Sequence, residues 1–216
     1  MNNLFPIFLK LENLKLLIVG GGKIGLEKIA AVVKNSPGTD VTIVAKRVLP
    51  EIELLALNYS NIKIKRREFF PGDLFNVNLV IAATGNSELN KLVKHEAEKR
   101  NILVNVADTP LLCDFYLGSI VQKGDLKIAI STNGKSPTLA KRLREYFEEN
   151  LPDVQDLLEN LYSFRNKLRG DFTNKVNVLN ELTSLLLKEY NFTTFAGSER
   201  NNSRKGAAGA KEKYDN

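Results

Sequence analysis

Cysteine and histidine are nearly absent: Cys113 and His95 are the only ones among 216 residues. A single cysteine excludes an intrachain disulfide, and the cytoplasm is the expected address. It reads more readily as a small buried group than as a ligand. A single histidine excludes an imidazole cluster with metal-ligand spacing. His95 sits with Lys94, Glu96 and Glu98 in a charged helical stretch that reads as solvated surface. No apolar run approaches the roughly 20 residues that a membrane-spanning helix needs. The start of the chain lacks the basic, apolar and small-residue segments of a signal peptide. Basic residues are not gathered on one helix with aromatics between them. Neither a membrane nor a nucleic acid is therefore the expected partner.

The formal net charge of +6 has two readings. It can reflect a solvated surface with a basic tail. It can also reflect a preference for a polyanion, including a small molecule that carries many carboxylates. The length exceeds what one small core requires and suggests one large or two modest domains.

The first half alternates between two periods. KLLIVG (Lys15–Gly20) is a short apolar run that stops at glycines, and Leu26, Ile29, Ala30 and Val33 then recur at helical spacing. Pro37-Gly38 breaks that helix. Asp40–Ala45 reads as a second strand, Leu49–Ser60 as a helix and Ile62–Phe69 as a half-buried strand near a sheet edge. Asn78–Thr84 is apolar enough to be buried on both faces. Ser87–Arg100 is an amphipathic helix with Leu89, Leu92, Val93 and Ala97 on one face, and Ile102–Asp108 returns to strand character. Strands alternating with helices predict a parallel sheet. After Asp108 the pattern changes. Ser119–Gln122 and Leu126–Ser131 flank a turn at Lys123-Gly124-Asp125, and Ser136-Pro137 opens a helix that ends at Leu151-Pro152. Only helical spacing follows, from Asp153 to about Tyr190, with Gly170 between two helices. From Gly197 the chain is small, polar and charged, which predicts disorder.

Gly20, Gly22 and Gly25 have the spacing G-x-G-x-x-G directly after a strand and at the start of a helix. In that context Gly20 permits a tight turn, Gly22 lets backbone approach a pyrophosphate and Gly25 lets helix and strand pack closely. Lys23 and Ile24 lie at the helix N-terminus, whose free amides suit an anion. The acid expected after the second strand is missing, because that strand ends Ala45-Lys46-Arg47. The two bases can accept a 2′-phosphate, or the backbone there can hold an NAD ribose. Asn86, after the fourth strand, can approach the nicotinamide side by topology.

Asp108 closes the fifth strand, at the edge where open α/β sheets bind ligands. Its carboxylate can take a proton as hydride leaves, or it can cap the turn at Thr109-Pro110. Ser131, Thr132, Asn133 and Ser136 surround Gly134 and can form a rim for substrate carboxylates, or simply a turn and helix cap. Asn105 is a further candidate for positioning substrate or cofactor.

FPIF before VGGGKIG, then NVADTPLLCDF, then IAISTNGKSP leading into LAKRLREYFEENLP, occur in one order. In that combination the chain resembles the precorrin-2 dehydrogenase family, the siroheme synthase N-terminal module. The resemblance implies oxidation of precorrin-2 to sirohydrochlorin with NAD, in siroheme or cobalamin formation. In some members ferrous iron is then inserted. It implies a homodimer with an N-terminal Rossmann domain, a small dimerisation region and a C-terminal helical domain. The expected boundaries are residues 1–112, 113–150 and 151–192, with a tail at 193–216. It places Asp108 in the chemistry and Lys23, Ile24, Lys46 and Arg47 at the nucleotide. Members commonly lack the ribose acid, which favours NAD. A chain of this length is expected to leave the methylations to another protein. Any metal would be held mainly by the tetrapyrrole nitrogens. The rival expectation is a non-enzymatic regulator that senses NAD or NADH, for which the NVAD and CDF segments have no evident use.

Overall fold

A computed structural model describes residues 2–189. The expected tail and residues 190–192 of the helical region lie outside them.

Five strands form one parallel sheet: β1 (Lys15–Val19), β2 (Asp40–Val44), β3 (Ile62–Lys65), β4 (Leu79–Ala82) and β5 (Leu103–Val106), in the order β3-β2-β1-β4-β5. Helices α1 (Lys23–Asn35), α2 (Pro50–Asn58) and α3 (Ser87–Glu98) connect them. The expected α/β Rossmann-type architecture is present. Its cause is visible in the strands. All of β4 and all but the first residue of β1 are buried, as a sheet covered on both faces requires. Leu17 and Val19 pack with Val93 and Ala97 of α3. Leu16 and Ile18 pack on the opposite face with Ile29 and Val32 of α1 and Ile52 of α2. Burying each such aliphatic side chain stabilises the fold by about 1.5–3 kcal/mol.

The strand expected over Ile62–Phe69 stops at Lys65. The amide of Arg67 turns back to the carbonyl of Lys65, and a short 3-10 helix follows at Pro71–Leu74. The other edge strand, β5, is closed by side chains. Val104 N donates to Asp114 Oδ2 at 2.9 Å, and Val106 N donates to Cys113 Sγ at 3.2 Å. Asp114 N returns a bond to Val104 O at 2.8 Å. The Asp114 carboxylate also accepts from Lys94 Nζ at 2.6 Å, and Glu98 lies 3.1 Å from the same ammonium. His95 is exposed as expected, but its neighbour Lys94 is only 8% exposed. Burial pulls the Lys94 pKa down, but the bonds to Asp114 and Glu98 outweigh it and leave it above the usual lysine value.

The next strands, β6 (Ser119–Lys123) and β7 (Leu126–Ile130), form their own two-stranded sheet around Gly124, whose φ is +54°. Helix α4 (Pro137–Asn150) opens as the sequence predicts, with Ser136 Oγ accepting from Leu139 N. Two more helices follow, α5 (Gln155–Lys167) and α6 (Phe172–Glu189), separated at Gly170. The contacts divide the chain into two compact units. Of the described residues, 2–121 and 128–150 form the first, and 122–127 with 151–189 form the second. Within the second, Gln155 holds the hairpin turn: its Oε1 accepts from Asp125 N and its Nε2 donates to Asp125 Oδ2. Among the described residues no helix is long and apolar enough to cross a membrane.

Candidate active site

The glycine loop occupies the reversal point of the strand order, between β1 and β4, and each glycine has a separate physical reason. Gly20 has a φ of +124°, and a Cβ there would strike the carbonyl of Ala83. A Cβ on Gly25 would strike the carbonyl of Gly20, so this glycine sets the approach of α1 to the sheet. Gly22 has ordinary extended backbone, and a Cβ there would meet nothing within 4 Å. The protein does not need a glycine at that point for its own packing. The open space lies at the N-terminus of α1, where free amides face an anion. The loop therefore fits a dinucleotide pyrophosphate.

A cleft of about 760 Å³ opens above this loop. Gly20, Gly22, Lys23, Ile24, Ala45, Lys46 and Asn86 line it. Gly25 lies beneath it as a packing residue. Arg47 does not line it; its side chain is exposed, and only its carbonyl approaches Gly21. Asn86 Oδ1 caps α3 by accepting from Glu88 N and Leu89 N. Leu92, expected on the buried face of α3, is 44% exposed and forms part of the cleft wall.

Several wall residues escaped the sequence reading. Asn90 is buried and clasps Thr84: its Oδ1 accepts from Thr84 Oγ1 at 2.6 Å and its Nδ2 donates to Thr84 O at 3.2 Å. This fixes the loop between β4 and α3. Arg67, Glu68 and Phe69 come from the segment after β3. Arg67 grips the buried Asp73 through two bonds of 2.5 and 2.7 Å and lies over the Phe70 ring, 4.4 Å from its centroid. Burial raises the Asp73 pKa, but the bonds from Arg67 and from Phe70 N, with Lys65 nearby, hold it below the usual carboxylate value. Glu68 pairs with Lys46.

A second cavity of about 530 Å³ opens within the same compact unit. Asn105, Asp108, Ser131 and Thr132 meet there, with Cys113 and Lys28. Asp108 is exposed and has a φ of +57°, a left-handed conformation that costs an L-residue roughly 1–2 kcal/mol. The turn that contains it closes with Thr109 N donating to Val106 O. Among the described residues no group bonds to the Asp108 carboxylate. The turn-cap reading therefore finds no hydrogen bond to rest on.

The other candidates divide. Asn105 donates to Phe115 O at 2.8 Å and fastens the loop beyond the cavity. Thr132 Oγ1 accepts from Ser136 N at 3.2 Å. Asn133 and Ser136 do not line the cavity. Asn133 forms the left-handed turn, and Ser136 is the helix cap. Burial raises the Cys113 thiol pKa. Cys113 is only partly buried: it packs against the core and also borders the cavity. Among the described residues Lys28, missed in the sequence, is the one cation bordering this cavity; its side chain is 21% exposed and its Nζ lies 2.8 Å from Glu27 Oε1. Among the described residues no group of three or more His, Cys, Asp or Glu side chains is placed to hold a metal.

The two cavities share α1. Ile24 borders the cleft and Lys28 the second cavity, and four helical residues rise by only about 6 Å. A parallel sheet with a fitted glycine loop at its reversal point defines a Rossmann-type dinucleotide-binding protein.

Comparison with known proteins narrows this class. Residues 7–119 match the family described as "Putative NAD(P)-binding", and residues 123–150 match the family described as "Sirohaem biosynthesis protein central". The chain belongs to this putative NAD(P)-binding family. It is 38% identical over 177 residues to the siroheme synthase of Psychrobacter arcticus, a match covering 82% of this chain and 31% of that protein. It is 42% identical over 147 residues to siroheme synthase 1 of Cronobacter sakazakii, covering 68% and 31%. The chain thus spans about a third of the length of these curated relatives. The solved structure of SirC, a precorrin-2 dehydrogenase, superposes with a TM-score of 0.67 at 28% identity, covering 83% of this chain and 89% of that one.

Proposed function

We propose that this chain is a dehydrogenase that oxidises precorrin-2 to sirohydrochlorin with NAD, acting as a homodimer. The observation that carries the reading is the shared helix. It borders a dinucleotide-fitted cleft and, about one turn later, a cavity with the unengaged carboxylate of Asp108. The siroheme synthases and the precorrin-2 dehydrogenase among its relatives supply the substrate class.

A nicotinamide held in the cleft would supply the hydride acceptor. The chain does the rest. The glycine loop and the α1 amides hold the pyrophosphate. Asn90 fixes the wall beside Thr84. Lys28 and the hydroxyls of Ser131 and Thr132 hold substrate carboxylates. Asp108 takes the proton that leaves as the ring system is oxidised, so that hydride and proton together account for the two hydrogens lost. Ferrous iron is a candidate second substrate, which the same carboxylate would serve as pyrrole protons leave.

The test is spectroscopic. Full-length protein mixed with precorrin-2 and NAD is expected to produce sirohydrochlorin absorbance and NADH together, with a higher kcat/KM for NAD than for NADP. A chain that leaves precorrin-2 unchanged while binding NADH normally would favour the sensor reading instead.

A further inference from the structure

The ribose end of the cleft lacks the acid that the second strand usually provides, since β2 runs out into Ala45-Lys46-Arg47. An acid reaches the same place from elsewhere. Strand β3 lies beside β2, and the segment leaving β3 turns over the carboxyl end of the sheet. That turn brings Glu68 to Lys46, and both border the cleft with the glycine loop. We propose that Glu68 binds the adenosine ribose hydroxyls of the dinucleotide and thereby selects NAD over its 2′-phosphorylated form. This deepens the dehydrogenase reading above and rests on it.

Three features converge on Glu68. The first is its mounting. Arg67 is clamped to the buried Asp73, and its Nη1 also donates to the Glu68 carbonyl at 2.9 Å. Phe69, on the other side, is buried in the core. The backbone at Glu68 is thus fixed while its side chain, 72% exposed, can turn. The second is the state of the nearby cations. Lys46 is paired with Glu68. Arg67 has its guanidinium fork engaged by Asp73, and Arg47 does not border the cleft. Among the described residues, no guanidinium free of a carboxylate borders the cleft, although such a fork is what a 2′-phosphate calls for. The third is sign. A carboxylate accepts hydrogen bonds from two ribose hydroxyls but repels a phosphate at the same point. The Lys46–Glu68 pair is exposed on both sides, so exchanging it for ribose hydroxyls costs little.

The experiment is a binding titration of the full chain with NAD, NADP and NAD lacking the adenosine 2′-hydroxyl. Wild type is expected to bind NAD at least tenfold more tightly than NADP, and to bind the 2′-deoxy form several-fold more weakly than NAD. In Glu68→Ala the NAD-to-NADP preference should narrow at least tenfold, about 1.4 kcal/mol. That variant should bind NAD and its 2′-deoxy form equally within twofold. If Glu68→Ala keeps both the wild-type preference and the wild-type loss on 2′-deoxy-NAD, the assignment of Glu68 is overturned and the dehydrogenase reading survives. Wild-type protein that binds none of the three would overturn the reading on which the assignment rests.

Discussion

Asp108 is held in left-handed backbone with its carboxylate unengaged, at the end of a buried strand. A residue kept in such a conformation without a structural bond of its own suggests use in the chemistry. Asp108→Asn keeps the shape and removes the base. Turnover should fall at least about 100-fold, the lower end for a general acid–base group, while NADH binding stays within twofold. Near-normal turnover in Asp108→Asn would return this residue to a role in the turn. The glycines were legible in the sequence because what each does is decided within a few residues of chain: a turn, a close packing, a free amide. Lys28, Glu68 and Asn90 were not. Each is an ordinary polar residue in its local context, and only tertiary folding brings it to a cavity wall. For Asn133 and Ser136 the sequence left two readings open, and the geometry places them in the turn and the helix cap and not in the cavity wall.

At the scale of elements, the edges of the sheet carry the information that periodicity could not. The buried strands β1 and β4 were plain as apolar runs. The length of β3 was overestimated, since the strand ends at Lys65 and Arg67, Glu68 and Phe69 line the cleft rather than extend the sheet. The edge of β5 is closed by Cys113 and Asp114, so the CDF segment read as a family mark has a structural function as well. Asp114 satisfies both a strand amide and the nearly buried Lys94. Asp114→Ala should therefore lower unfolding free energy by about 1.5–3 kcal/mol, read as a reduced denaturant midpoint at unchanged slope. A loss below about 0.5 kcal/mol would mean that water replaces the carboxylate without cost.

At the scale of the molecule, the β6–β7 hairpin is a two-stranded sheet, a form that is marginal alone in water. In the first compact unit Leu139 of α4 and Leu117 before β6 are 51% and 40% exposed. A second subunit covering this region fits the homodimer proposed above. Light scattering at micromolar concentration should return twice the 24.2 kDa chain mass. An active monomer would remove the dimer from the proposal.

The coupling of the two cavities is tested most directly by one anaerobic single-turnover measurement on the full chain with limiting precorrin-2. NADH and sirohydrochlorin should appear at the same rate and in equal amounts, because one hydride leaves each substrate for each cofactor reduced. Sirohydrochlorin formed without matching NADH, or NAD reduced with no tetrapyrrole product, would contradict a dehydrogenase whose Asp108 cavity and glycine-loop cleft act as one site.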